Sequence, residues 1–234
     1  MITDPNTREV LDGFGIDPDK TPQGSVKYLR RDQYQALSME TFKWSMYPEN
    51  DNVIAYAIDN EQKPGVGLVL RNLHRGKEKA KHLTEVPKDV QGPYWHNFHF
   101  SLETVWQTGV VVLVEGPKDA RFLAQYGIPT WGYLGGVPST EHLNCTQKYV
   151  HTAIWIPDND NMTYEVKRRR EDVQKSAERI GLRLRRLTIN AKDPAELKGN
   201  IPEIRKILSS YQLACRLGGG GYKWDGRLNT GLDA

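Results

Sequence analysis

Cysteine is scarce in this chain: Cys145 and Cys215 are the only two in 234 residues. Neither has a metal-type partner at short spacing, which argues against both a disulfide framework and a structural zinc ribbon. His96 and His99 form an HxxH, but no cysteine or second histidine pair lies nearby, so they read as two loop histidines. Long apolar runs are also missing. The longest, Gly109 to Val114, falls far short of the ~20 residues that span a bilayer. Met1-Ile2-Thr3-Asp4-Pro5 has no basic segment leading into an apolar one, which is the pattern expected of an unexported, cytoplasmic protein with no membrane partner. Strong charge bias is absent too, because 32 Lys and Arg against 29 Asp and Glu leave a formal charge of only +3. No internal repeat is apparent.

What remains is a polar-surfaced globular chain, 38% hydrophobic with a mean hydropathy of -0.63. Its length allows one large domain or two small ones around a real core. The charge is unevenly spread: cations cluster in Arg71 to Lys81, in Lys167 to Arg170, and at Arg183, Arg185 and Arg186. A basic surface beside an acidic pocket suits a polyanion such as nucleic acid or nucleotide.

Residues 1–24 are rich in Pro and Gly and read as an irregular arm. Residues 25–100 form a basic N-terminal subdomain. Within it a short helix starts at Leu37-Ser38-Met39-Glu40-Thr41-Phe42 with Ser38 as cap, and a hairpin joins Val53–Ile58 to Val66–Arg71. From Ser101 strands alternate with helices: Val110–Val114, a helix from Pro117 to Tyr126 closed by Gly127, a strand near Thr130–Tyr133, a loop, and Thr152–Ile156. Val166, Val173, Ala177 and Ile180 mark one face of the next helix. Leu182, Leu184, Leu187 and Ile189 then read as a strand, and Ile201 to Ala214 as a helix with Pro202 in its first turn. This order predicts an α/β domain over 101–215, a mainly parallel sheet flanked by helices, with a flexible tail at 216–234.

Three acidic outposts stand where predicted strands run out. Glu115 ends an apolar strand and is followed by Gly116-Pro117-Lys118-Asp119-Ala120. Asp158-Asn159-Asp160 follows Ile154-Trp155-Ile156. Lys192-Asp193-Pro194-Ala195-Glu196 follows the last strand. The carboxyl ends of parallel strands share one edge of the sheet, so these carboxylates can converge on a divalent cation there. Asp158 and Asp160 are close enough to repel, and a cation between them relieves that repulsion. Asp119 has an alternative role as a first-turn acid favoured by the helix dipole.

The combination of strand-Glu-Gly-x-x-Asp-Ala, strand-Asp-x-Asp and Lys-Asp-Pro-x-Glu resembles the TOPRIM domain shared by topoisomerases and primases. Within that superfamily it is most similar to the bacterial and phage-type DNA primase catalytic core, whose Asp-Pro-Asp segment here reads Asp193-Pro194-Ala195. Leu37-Ser38-Met39-Glu40-Thr41 is similar to the helix that opens that core. Gly67-Leu68-Val69-Leu70-Arg71, followed by Lys79 and Lys81, looks like its basic subdomain.

The resemblance implies a primase that makes short RNA primers from ribonucleoside triphosphates on a single-stranded DNA template, with a replicative helicase as a further partner. It implies that Glu115, Asp158 and Asp160 are catalytic, and that these three with Asp193 hold Mg²⁺ or Mn²⁺. Arg71, Lys79, Lys81, Lys118 and Asp119 are implied to contact nucleotide or DNA. No zinc module precedes the core in this sequence, so template recognition is expected to differ or to lie on another chain, as in a phage or plasmid replicon. A TOPRIM metal-dependent nuclease, or a non-catalytic protein that binds single-stranded DNA or a helicase, are the alternatives.

Overall fold

The computed structural model describes residues 1–30, 33, 52–73, 82–87, 89–159 and 163–218. The helix predicted from Leu37, most of the basic run to Lys81, Asp160 and the glycine-rich end of the tail lie outside these residues.

Two sheets organise the chain. The first is antiparallel, in the order β1 (Val26–Leu29), β2 (Val53–Ile58), β3 (Gly67–Asn72), β4 (His82–Glu85). The predicted hairpin is its β2–β3 pair, with Ile54 opposite Arg71. The second sheet runs β5 (Trp95–His96), β7 (Thr130–Tyr133), β6 (Val110–Glu115), β8 (Thr152–Ile156), β9 (Arg183–Arg186), and it is parallel except for β5. Residues 95–96, grouped by sequence with the N-terminal subdomain, therefore pair within the second sheet. Among the described residues a single β-bridge joins the sheets: Asp59 N–H donates to Trp95 O at 2.7 Å, and Trp95 N–H donates back to Asp59 O at 2.8 Å.

The central strand β6 is covered on both faces, which is why its sequence is a continuous apolar run rather than an alternating one. Val110, Val112 and Val114 face one core with Ile204, Ile207 and Tyr211 of helix α6 (Ile201–Leu217). That core also takes Ile54, Tyr56 and Val69, so both sheets contribute to it. Val111 and Leu113 face the second core, with Phe98 and Val105 of α2 (Phe98–Thr108), Leu143 of α4 (Thr140–Tyr149), and Val173 and Ala177 of α5 (Tyr164–Arg179). Each fully buried Val or Leu here contributes roughly 1.5–3 kcal/mol relative to exposure. The second core is unusually aromatic: Trp95, Phe98 and Trp131 pack with ring centroids 4.5–6.4 Å apart. The Trp131 indole finds a partner in Ser101 Oγ at 2.9 Å.

Two predicted irregular stretches are ordered. The expected arm contains helix α1 (Pro5–Gly13) and a 3-10 turn at Pro18–Lys20, and it buries Ile2, Leu11 and Ile16. Asp4 caps α1 through Thr7 N–H at 2.8 Å, and Pro5 occupies the first turn, where its missing donor costs nothing. The loop expected before Thr152 contains α4, capped by Ser139. His142 closes that capping box: its Nδ1 accepts from Ser139 N–H at 3.2 Å while its Nε2 faces Tyr94 O at 3.0 Å. The final helix extends beyond the predicted Ala214 to Leu217, and the last strand is shorter than predicted, at Arg183–Arg186.

His96 and His99 are not loop residues. His96 ends β5 and is fully buried, with Nδ1–H donating to Ala57 O at 2.7 Å and Nε2 accepting from Arg121 Nε–H at 2.9 Å. Burial, reinforced by the neighbouring Arg121 charge, holds the His96 imidazole neutral, well below its ordinary pKa. His142 is shifted the same way, mainly by burial.

Two measurements check this packing. Asp4→Ala leaves Thr7 N–H without its cap and is expected to cost about 1 kcal/mol of unfolding free energy in a denaturant titration. For His96 the native state resists protonation while the unfolded chain does not, so stability is lost as pH falls below the unfolded pKa of 6.5. His96→Gln keeps a donor and an acceptor but cannot titrate, and should flatten that loss by about 1 kcal/mol per pH unit between about pH 6 and 5.

Candidate active site

The strands β6 and β8 run parallel with Val114 level with Ile156, so the chain leaves both at the same edge. Glu115 is the last residue of β6, and Asp158 lies two residues beyond the end of β8. Both line a cleft of about 350 Å³. Asp193, Lys118 and Asp119 line it as well, and Val69, Arg71 and Thr84 of the antiparallel sheet close its opposite wall. The cleft is thus formed by the carboxyl edge of one sheet facing the other sheet, and its volume lies in the lower part of the range of small-molecule sites (roughly 300–1,000 Å³).

Gly116 sets the turn from β6 into α3 (Pro117–Ala124). Its φ of 82° lies in the region that glycine alone enters freely. Its N–H is held by Tyr133 O at 2.8 Å. Beneath it, Gly132 leaves no room for a side chain: a Cβ there would stand 2.6 Å from Gly116 O. These two glycines let the β6–α3 turn settle directly on β7. Glu115 then turns to the β7–α4 loop, where its Oε1 accepts from Gly136 N–H at 3.2 Å.

The Asp158 segment is held from α5. Arg170, only 6% exposed, donates through Nη2 to the Asp158 carbonyl. Burial, with help from Arg186, pulls the Arg170 guanidinium down, while the charges of Asp158 and Glu115 act in the opposite sense. Arg170 therefore belongs to the site electrostatically, although the sequence placed it only in a basic cluster. Its phase was a usable signal. Val166, Arg170, Val173 and Ala177 recur at helical spacing, so a lone cation occupies the apolar stripe.

Asp119 and Asp193 are brought together across 74 residues and are 4% and 5% exposed. Asp119 Oδ1 accepts Ala195 N–H at 3.0 Å, and Asp193 Oδ1 accepts Glu196 N–H at 3.0 Å, capping the 3-10 turn Pro194–Leu197. Lys118 Nζ lies 2.9 Å from Asp193 Oδ2 and 3.7 Å from Asp119 Oδ1. Burial raises the Asp119 carboxyl well above its ordinary range, with Lys118 opposing and Asp193 adding to the rise. For Asp193 burial also acts upward, but the Lys118 ammonium and the Glu196 N–H outweigh it and hold the carboxyl low.

Arg71 reaches the cleft from β3 with its guanidinium over the Phe14 ring, 4.7 Å from the centroid. The folded N-terminal segment thus carries the ring on which the cleft's arginine rests. Of the residues singled out from the sequence, Glu115, Asp158, Asp193, Lys118, Asp119 and Arg71 line one cleft. Asp160, Lys79 and Lys81 lie outside the described residues.

Among the described residues the cleft lining offers carboxylate oxygens and neither cysteine nor histidine, a donor set that suits Mg²⁺ or Mn²⁺. Among the described residues no group of three or more His, Cys, Asp or Glu stands ready to enclose a metal ion. Glu115 and Asp158 nevertheless fit an ion that commonly takes one or two carboxylates and completes its shell with water and substrate phosphate.

No protein-family model matches the sequence, and no curated protein does. Solved structures do match. The Aquifex aeolicus primase, with its zinc-binding and RNA polymerase domains, superposes with a TM-score of 0.66 at 16% identity, over 98% of this chain and 66% of that one. A DnaG primase catalytic domain bound to single-stranded DNA gives 0.67 at 16% identity, covering 89% and 71%. The RNA polymerase domain of Mycobacterium tuberculosis primase, in complex with a double-stranded DNA carrying a 6-nucleotide overhang, gives 0.64 at 14%, covering 88% and 74%. The chain has the fold of the TOPRIM-containing primase catalytic cores and spans about two thirds of the length of the Aquifex protein. No helix among the described residues is long and apolar enough to cross a membrane.

Proposed function

We propose that this chain, which has the fold of a primase catalytic core, is a metal-dependent nucleotidyltransferase that joins ribonucleotides on a single-stranded DNA template. One observation carries the reading: a single cleft sets the carboxylates Glu115 and Asp158 opposite the guanidinium of Arg71. Acid on one wall and base on the other is what a triphosphate and its cation require.

Glu115 and Asp158, joined by Asp160, hold Mg²⁺ or Mn²⁺. The ion, when bound, neutralises triphosphate charge and aligns it for in-line attack by a primer hydroxyl. Gly136 N–H fixes the Glu115 carboxylate, and Arg170 fixes the backbone that carries Asp158. Arg71 binds phosphate, of the nucleotide or of the template backbone, and Lys79 and Lys81 extend that contact along the DNA. Phosphate contacts of this kind are indifferent to base sequence and weaken with salt. A replicative helicase is the natural further partner of such a core.

Incubation with a single-stranded template, ribonucleoside triphosphates and Mg²⁺ should yield short RNA products. Glu115→Gln and Asp158→Asn should each reduce synthesis about a hundredfold or more while DNA binding persists. Cleavage of a labelled strand with no synthesis would instead identify a nuclease. Arg71→Ala should weaken template or nucleotide binding and lower the slope of log affinity against log salt by about 1, and an unchanged slope would remove Arg71 from the interface.

A further inference from the structure

A second pocket, of about 190 Å³, lies where α2, α3 and the 3-10 turn Pro18–Lys20 meet, and it shares no lining residue with the cleft. Among the described residues its lining carries two cations, Lys20 and Arg121, and no acid. Lys20 is exposed, whereas Arg121 is only 3% exposed.

Arg121 is poorly matched for a buried charge. Its Nε–H donates to His96 Nε2 at 2.9 Å, and because His96 is held neutral this partner offers a lone pair but no negative charge. Its Nη2 is buried without a hydrogen-bond partner. Among the described residues no carboxylate comes within ion-pair distance of it. Asp59, an acid whose charge it feels, gives Oδ1 to Gly65 N–H and Oδ2 to His99 N–H. Burial pulls the guanidinium down to about 10, which leaves it charged at neutral pH. A buried cation with most of its donors unused is costly, and an anion that accepts from the paired Nη groups removes that cost. The Phe100 ring covers the guanidinium, with Cζ 4.9 Å from the ring centroid. Phe100 is itself 52% exposed, and exposed side chains change rotamer within nanoseconds, so this cover can open toward the pocket.

We infer that this pocket is an oxyanion site, in which Arg121 receives a phosphate group through its Nη nitrogens beneath the Phe100 ring, with Lys20 at the mouth. The planar fork of arginine matches phosphate oxygens, and the hydrogen bond to His96 holds that fork in place. The volume lies below the roughly 300–1,000 Å³ of small-molecule sites, so the pocket takes a phosphate or pyrophosphate group rather than a whole nucleotide. A free phosphate and a phosphate of a nucleic-acid backbone present the same oxygens to it. The site is independent of the metal reading of the cleft, because none of its residues takes part there.

The test follows the Arg121 Nε–H resonance of the full chain in a ¹⁵N–¹H correlation spectrum, assigned by its loss in Arg121→Met, during titration with inorganic phosphate at constant ionic strength. The wild type should show a saturable shift and a rise in melting temperature beyond that given by chloride. Arg121→Met should lose the thermal response. Ala124→Glu, which sets a carboxylate into the same pocket one helical turn from Arg121, should abolish the phosphate-dependent shift. Lys20→Ala should weaken binding about threefold. Arg71→Ala, which alters only the cleft, should leave the Arg121 response unchanged. A wild-type response no greater than that to chloride, or a full phosphate response in Ala124→Glu, would overturn the inference without touching the function proposed for the cleft. Single-stranded DNA added to the phosphate complex separates the sources: a new position for the Arg121 resonance assigns the group to a nucleic-acid backbone, and an unmoved one assigns it to free phosphate.

Discussion

The architecture depends on burying β6 from both sides. Five consecutive residues, Val110 to Val114, have no solvent exposure, and this requires helices or sheet on each face. The odd-numbered residues call for the aromatic core behind α2, α4 and α5, and the even-numbered ones for the core shared with the antiparallel sheet. A carboxylate cannot continue such a strand, so Glu115 marks where burial ends and the cleft begins. Ile156 ends β8 in the same way, and Asp158 follows. The chemistry of the site is in this sense the boundary of the hydrophobic core, drawn at the same level on neighbouring strands.

The second requirement is charge balance at that boundary. Several acids reach one edge, and each is held by donors from other elements. Asp193 is held by the Lys118 ammonium and Glu196 N–H, and Asp119 is buried against Ala195 N–H. Glu115 and Asp158 are positioned by Gly136 N–H, which donates to the Glu115 carboxylate, and by Arg170, which donates to the Asp158 carbonyl. The first pair also serves as structure, because Asp119 and Asp193 tie α3 to the 3-10 turn before α6.

Much of this was legible in the sequence where the cause is local. The apolar run of β6, the Gly116 turn and the stripe of α5 follow from neighbours within a few residues. The α/β class and the position of Glu115 at a strand end followed with them. Helix α4 was missed because it buries little that is apolar, chiefly Leu143 and Cys145, and follows a Gly135-Gly136 pair that reads as loop. Helix α1 was hidden among prolines and glycines, although Asp4-Pro5 is a start signal. Non-local pairings were beyond reach: Lys118 meets an acid 75 residues away, and Arg71 rests on Phe14, whose significance appears only once the N-terminal segment folds back. Arg170 lay between these cases, since its phase was visible and its partner was not.

The Asp59–Trp95 bridge has a mechanical meaning. It ties the end of β2 to the second sheet, whereas Arg71 sits opposite Ile54, five residues back along the same strand. At ~3.4 Å per residue that arm is roughly 17 Å long, so a tilt of about 5° between the sheets carries Arg71 through roughly 1.5 Å. The bridge is the fulcrum, and the arginine rides near the far end of the lever. Changes at Asp59 or Trp95, which are not among the residues lining the cleft, would therefore alter the span between the basic and acidic walls.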